Sequence, residues 1–257
     1  MFNKFTNRLR YFIELSYNGK NFHGWQYQPN AVSVQETIEN SLVILLKKKI
    51  KILGAGRTDT GVHAKQMFAH FDFKESFDTQ NLSFKLNSFL GKDIRIINIL
   101  KVKSDSHARF DAKSREYQYV ITQKKDVYNF DTKYFFSKKL DFDEIDKAIK
   151  IIKKTKNFKS FCRTKTDVTN YNCKIFDFEY TMYNSDIVFT IRANRFLRNM
   201  VRSIIGTILD VGLLKTSIKD FSDIIKKTNR IYAGPSAPAH ALFLTKIEYP
   251  ETIFIND

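Results

Sequence analysis

Gly54-Ala55-Gly56-Arg57-Thr58-Asp59-Thr60-Gly61-Val62-His63-Ala64 is the stretch whose residue types best suit chemistry. It holds one carboxylate, Asp59, with Arg57 two residues before it and three glycines around it. Glycines let a backbone take φ > 0 or approach a ligand closely. A nearby guanidinium favours the ionised carboxylate. An ionised Asp can form a covalent intermediate with a sugar-type carbon. The same residues also make an ordinary glycine-rich turn with a solvated Arg-Asp pair, and the residue types leave both readings open. Spacing excludes two other motifs. A phosphate-binding P-loop needs Lys directly after its last glycine, and Val62 follows Gly61. A dinucleotide fingerprint needs a glycine where this chain has Asp59.

Three further groups carry candidate side chains. Arg115, Tyr117 and Tyr119 alternate along a predicted strand and so share one face. Strand tyrosines are usually core or sheet-surface residues. Arg195, then Arg198 or Asn199, then Arg202 recur at helical spacing opposite an apolar face of Phe196, Leu197, Met200, Val201, Ile204, Ile205, Ile208 and Leu209. By composition this is either a solvated basic face or a nucleic-acid contact. Arg109, in His107-Ala108-Arg109-Phe110, reads equally as a linker arginine. His63 and His107 read as hydrogen-bonded structure. Cys162 and Cys173 make neither a disulfide framework nor a zinc site and read as cytosolic thiols.

The elements that must position these residues follow from periodicity. Alternation predicts strands at residues 10–17, 49–53, 66–73, 94–102 and 115–122. Asn18 to Gln26 is a glycine-punctuated loop with the only Trp, Trp25. Ser33-Val34-Gln35-Glu36 is a capping box, and Val34, Ile38, Leu42, Leu45 and Leu46 form one helical stripe after it. A second helix is predicted over 82–90, stopping at Gly91. This order of strands and helices is the split βαβ pattern of ferredoxin-like folds. Beyond a junction at 103–114, a helix is predicted over 141–156, acids first and lysines last. A basic loop follows at 158–172, then strands at 175–183 and 187–193. Helices at 195–211 and 218–227 and a last strand at 241–249 complete the chain. The domains expected are an N-terminal α+β lobe, 1–105, and a C-terminal α+β lobe, 106–257.

Composition bounds the function classes. The chain has 257 residues, 43% hydrophobic and 27% charged, the balance of a soluble globular protein. Its 43 Lys+Arg against 27 Asp+Glu give a formal charge of +16, which favours polyanionic partners such as nucleic acid. No apolar run approaches the length of a membrane span. Residues 1–6 lack an apolar signal core. The expectation is a cytoplasmic protein without membrane, metal or cofactor.

The eleven-residue Asp59 string, the Asn18–Gln26 string, His107-Ala108-Arg109-Phe110, Arg115-Glu116-Tyr117 and the run from Asn194 to Arg202 stand in the same order as the motifs of the tRNA pseudouridine synthase A family. The chain resembles that family from about residue 10 to residue 249. The resemblance implies two ferredoxin-like α+β lobes with antiparallel-rich sheets and a central basic active-site cleft. It implies an isomerase that converts uridine to pseudouridine in the anticodon stem-loop of tRNA, at positions 38–40, as a homodimer. It makes Asp59 the nucleophile, Tyr117 the residue that stacks on the target base, and Arg202 the salt-bridge partner of Asp59. Arg57, Arg109, Arg195 and Arg198 become RNA-binding residues, Arg109 in base extrusion. No cofactor is implied. The alternatives are a synthase of the same family acting on other uridines and a non-catalytic RNA-binding protein. The chain departs from the family pattern at Thr60, where Ala is common, at Ser106, where Phe is usual, and at Ala241, where Gly is usual.

Overall fold

A computed structural model describes residues 8–164 and 168–255. The N-terminal residues read for a leader, and positions 165–167 of the basic loop, lie outside the described residues. By internal contacts the chain divides into two units. The first runs to Lys113 and resumes at Thr245, and the second is Ser114–Leu244. Both mix helices with a mostly antiparallel sheet.

The first unit contains β1 (Leu9–Tyr17), α1 (Val34–Leu46), β2 (Leu53–Gly54), β3 (His63–Phe73), α2 (Thr79–Phe89) and β4 (Ile94–Val102). β1 lies at the centre, antiparallel to both β3 and β4. Its Tyr11, Phe12 and Ile13 are buried in succession, as a strand covered on both faces requires. Arg10 and Asp72 face each other across β1 and β3, and the guanidinium donates from Nε and Nη2 to the two carboxylate oxygens at 2.6 and 2.9 Å. The Ser33 hydroxyl accepts from the Glu36 N–H at 3.2 Å and opens α1 as the capping box predicts. Lys47, at φ 52°, closes that helix in the left-handed conformation. The last described residues return to this unit. The Lys113 N–H donates to the Glu248 carbonyl, and the Ile255 N–H to that of Lys101.

The strand predicted over 49–53 is a correction. Only Leu53 and Gly54 pair, with His70 and Ala69. The reason lies in Glu39, a buried carboxylate on α1. Its Oε1 accepts from the Ile52 N–H at 3.0 Å and from Gln35 Nε2 at 2.9 Å, and its Oε2 takes Lys51 Nζ at 2.7 Å. The approach to the Asp59 loop is therefore tied to a helix rather than to a strand.

The second unit contains β5 (Ser114–Thr122), β6 (Tyr134–Phe135), α3 (Phe142–Lys154), β7 (Ile175–Tyr183), β8 (Asp186–Ala193), α4 (Met200–Gly212) and α5 (Ile218–Lys226). β9 (Leu242–Glu248) is divided between the units at Leu244. β8 is antiparallel to both β5 and β7, and the two-residue β6 runs parallel to β5. Asp141 caps α3 by accepting from the Glu144 N–H at 3.0 Å. Ile145, Ala148, Ile149 and Ile152 form its buried stripe.

α4 corrects the predicted helix over 195–211 in two ways. It begins at Met200, not at 195. The Arg198 carbonyl accepts from the Arg163 N–H at 3.0 Å, and Asn199 turns left-handed at φ 64°. The helix is also buried nearly all round. Of its residues only Arg202 and Asp210 are not buried. Arg195 and Arg198 thus sit on the segment before α4, and the expected basic helical face is reduced to Arg202.

Glu39→Ala removes the acceptor of a buried backbone N–H, and a loss of about 1–3 kcal/mol in unfolding free energy is predicted. Glu39→Gln keeps an oxygen there and loses less. Urea unfolding of both variants checks this; a loss below about 0.5 kcal/mol for the alanine variant, the ordinary range for surface substitutions, would contradict the assignment.

Candidate active site

In the first unit the Asp59 loop joins β2 to β3, and backbone contacts hold it. The Asp59 carbonyl accepts from the Val62 N–H at 3.1 Å, closing a turn with Gly61 at φ +77°. A positive φ at this position of a turn favours glycine. The loop of residues 18–26 is wrapped against this turn. The Trp25 N–H donates to the Thr58 carbonyl and the Gly61 N–H to the Phe22 carbonyl, both at 3.3 Å. The Tyr17 and Thr58 hydroxyls are 2.9 Å apart. The Gly19 N–H donates to His63 Nδ1 at 3.0 Å.

Two glycines make this approach possible. A Cβ on Gly24, which has φ +92°, would lie 2.4 Å from the Thr58 carbonyl oxygen. One on Gly19 would lie 2.0 Å from the Val62 carbonyl oxygen. Trp25 is buried against Gly54, where a Cβ would meet the indole Nε1 at 2.4 Å. Asp59 is left half-buried at the turn, with Arg57 and Thr60 exposed. A carboxylate on a turn fixed by its own backbone meets the geometric need of a nucleophile, a defined position with few rotamers to search. Periodicity assigned Gly19, Gly24 and Trp25 no role. The signal for them was the density of glycines around the single Trp.

The turn carrying Arg109 belongs to the same unit. His107 and Asp111 close it, with the His107 N–H donating to Asp111 Oδ2 at 2.8 Å. His107 Nδ1 accepts from the Arg109 N–H at 3.1 Å, and His70 Nδ1 accepts from the Ala108 N–H at 3.2 Å. Burial first, then the charges of His107 and Arg10, lower the His70 pKa to about 4, so the ring stays a neutral acceptor. These histidines brace the turn. Arg109 is exposed, with its guanidinium 5.6 Å from the Phe110 ring centre. Ser106 is buried, and its carbonyl accepts from Arg10 Nη1 at 2.9 Å.

In the second unit a strap, residues 233–238, lies along α4. A Cβ on Gly206 would come within 1.8 Å of the Pro235 carbonyl oxygen, so the strap touches the helix backbone. The Ala237 N–H donates to the Arg202 carbonyl at 3.0 Å, and Arg202 Nε donates to the Ala237 carbonyl at 2.7 Å. Arg202 stands in the first turn of α4, where the helix dipole disfavours a cation. The two bonds to Ala237 hold it there. Asn199 Nδ2 reaches Ser236 Oγ at 2.6 Å, and the Gly234 N–H reaches Thr207 Oγ1 at 3.0 Å. The Tyr119 hydroxyl donates to the Pro238 carbonyl at 3.0 Å, and burial pushes its pKa far above the usual phenol range. Tyr119 is therefore structural.

Tyr117, two residues back on β5, is half-buried, with its ring edge-on to Phe196 at 5.1 Å. Arg115 Nη1 donates to the Asn194 carbonyl at 2.9 Å. Arg195 is half-buried and Arg198 exposed. Ala241 is fully buried. The structure thus gathers Tyr117, Arg202 and the strap in the second unit, and Asp59, Arg57 and Arg109 in the first. Among the described residues no cluster of His, Cys, Asp and Glu could hold a metal ion, and no helix is long and apolar enough to cross a membrane.

Gly24→Ala is predicted to push the 18–26 loop off the Asp59 turn, because the new Cβ would overlap the Thr58 carbonyl and the φ would be strained. Most of the activity that depends on Asp59 should be lost, with a melting temperature lowered by several degrees. Wild-type turnover by this variant would show that the close approach does not position Asp59.

A family model described as tRNA pseudouridine synthase matches residues 150–250. Curated relatives match almost the whole chain. A protein of Parabacteroides distasonis named tRNA pseudouridine synthase A is 49% identical over 95% of this chain and 98% of its own. Its namesake in Bacteroides fragilis is 47% identical over 95% and 98%. The one in Borreliella afzelii is 38% identical over 92% and 97%. With identity of this order spanning both units, the chain belongs to the tRNA pseudouridine synthase A family, whose members are isomerases that form pseudouridine.

Proposed function

We propose that this synthase acts on uridines in the anticodon stem-loop of tRNA, at positions 38–40. The observation that carries the reading is the Asp59 turn, half-buried and fixed by backbone contacts at Gly19 and Gly24. A stem uridine is out of reach of such a carboxylate until it is flipped from the helix. Exposed Arg57, Arg109 and Arg198, with Arg195, supply cations for the backbone of the opened stem. Arg109 takes the place of the extruded base, and Tyr117 stacks on the flipped uracil. The family resemblance gives each lobe a ferredoxin-like fold, and the +16 charge supports a polyanionic substrate. The enzyme works as a cytoplasmic homodimer.

Asp59 attacks by one of two routes, at the ribose C1′ or at C6 of the base. On either route the C1′–N1 bond breaks and the uracil rotates. C5 then bonds to C1′, the Asp59–carbon bond breaks and returns the carboxylate with its electron pair, the C5 proton leaves and N1 gains a proton. Atoms and electrons balance without a redox partner. Arg202 holds the Asp59 carboxylate ionised and fixes its rotamer, a role suited to a planar guanidinium that stays charged when partly buried.

The test is pseudouridine mapping on an unmodified tRNA transcript incubated with the purified protein. Modification confined to positions 38–40 is expected. Modification elsewhere would move the substrate within the family, and binding without modification would leave only an RNA-binding protein. The same assay examines Arg202. Arg202→Ala should lower turnover strongly and Arg202→Lys less, with tRNA affinity nearly unchanged in both. Substitutions that weaken binding alone would remove Arg202 from the reaction.

A further inference from the structure

A cavity of about 410 Å³ in the second unit is lined by Lys159, Arg163, Lys227 and Arg230, with no carboxylate in its lining among the described residues. That volume is on the scale of pockets that admit a nucleotide-sized group. Building on the reading of the chain as a tRNA-modifying enzyme, we propose that this pocket binds a phosphate of the tRNA backbone.

The pocket's charge has no carboxylate partner among the described residues. Some other cations of this unit do have one: Lys133 lies 3.1 Å from Asp126 and 2.8 Å from Asp186, and Lys153 lies 2.9 Å from Asp177. Among the described residues none of the four pocket cations forms an ion pair with a carboxylate. Two of them rest on aromatic faces instead, Lys227 at 4.2 Å from the Tyr232 ring centre and Lys159 at 5.4 Å from that of Tyr171. A cation over a ring keeps its charge available to an anion.

Arg230 is the most enclosed of the four. It donates to the Ala233 carbonyl at 3.1 Å and to Ser236 Oγ at 3.0 Å, and burial lowers its pKa with no acid to offset the effect. A helix dipole accounts for Lys227, at the C-terminal end of α5. It does not account for Lys159 and Arg163, which come from another segment. Unmatched, converging cations of this kind are what a phosphate oxygen recruits.

The pocket is also connected to the segment before α4. The Arg163 N–H is bonded to the Arg198 carbonyl at 3.0 Å, so the pocket adjoins the segment assigned to RNA contact. Arg230 and Asn199 both donate to Ser236 Oγ, and the next residue, Ala237, accepts from Arg202 Nε. A phosphate seated here would brace the strap that holds Arg202. An RNA backbone running along residues 198–202 supplies that phosphate; a free nucleotide or inorganic phosphate would have no further contact with that segment.

The test uses the full chain and an unmodified tRNA transcript, with Kd measured across a salt series for Lys227→Gln and Arg163→Gln. Both side chains are exposed, and both variants are expected to fold. Lys85→Gln on α2 of the first unit is the control. Each pocket variant should raise Kd several-fold and flatten the slope of log K against log salt by roughly one unit. Wild-type Kd and slope in both pocket variants would overturn the proposal, and so would an equal change in Lys85→Gln, which would reduce the effect to net charge. Displacement of tRNA by millimolar inorganic phosphate from wild type but not from the variants would reassign the pocket to a free anion. A wild-type protein that binds tRNA but forms no pseudouridine would defeat the functional reading, while the salt slopes still decide the pocket.

Discussion

The carbonyl oxygen of Thr58 lies where a Cβ on residue 24 would need to be. That steric fact fixes the Asp59 turn. With glycine at 24 and 19, the loop of residues 18–26 meets the turn backbone to backbone, and Trp25 closes over Gly54. Contacts of this kind leave little play, because neither partner is a rotatable side chain. The Asp59 turn is held by the carbonyls of Thr58, Asp59 and Phe22, so Asp59 is positioned by its neighbours' backbones.

The second unit uses the same device around Arg202. Gly206 lets the strap lie on α4 with the Pro235 carbonyl where a Cβ would otherwise sit. The strap then grips Arg202 from two sides, receives the Tyr119 hydroxyl and is tied to Asn199 and Arg230 through Ser236. An arginine in the first turn of a helix is electrostatically disfavoured, and a two-point bond to one residue offsets that cost. In both units a glycine admits a close backbone approach beside a candidate site residue, Asp59 in one and Arg202 in the other.

Much of this was legible in the sequence, and the failures have physical causes. The alternation of β1, β4, β5, β7 and β8, the capping box at Ser33 and the acids-first, lysines-last order of 141–156 gave their elements within a residue or two. These signals are local, set by the strand period of two or by one side chain and one N–H three residues on. The strand over 49–53 failed because Glu39, a dozen residues away, takes the Ile52 N–H. The start of α4 failed because the helical spacing of Arg195, Arg198 and Arg202 runs through a segment whose carbonyl is claimed by Arg163. Gly206 inside an apolar helix was a readable sign of close packing, but its partner at Pro235 was not. The pocket cations come from two stretches distant in sequence, and no spacing rule brings them together. The Asp59 string was readable because its glycines, threonines and lone acid are packed into eleven consecutive residues.

Asp59 acts here as the nucleophile on a turn that backbone contacts hold, and this is the proposal most in need of a test. Asp59→Asn separates nucleophile from turn most directly, since it keeps the shape of the side chain and removes the anionic oxygen. Pseudouridine formation on a tRNA transcript should fall to background, while the melting temperature and tRNA affinity stay at wild-type values. Normal turnover by Asp59→Asn, or a loss of activity that merely follows unfolding, would contradict the account.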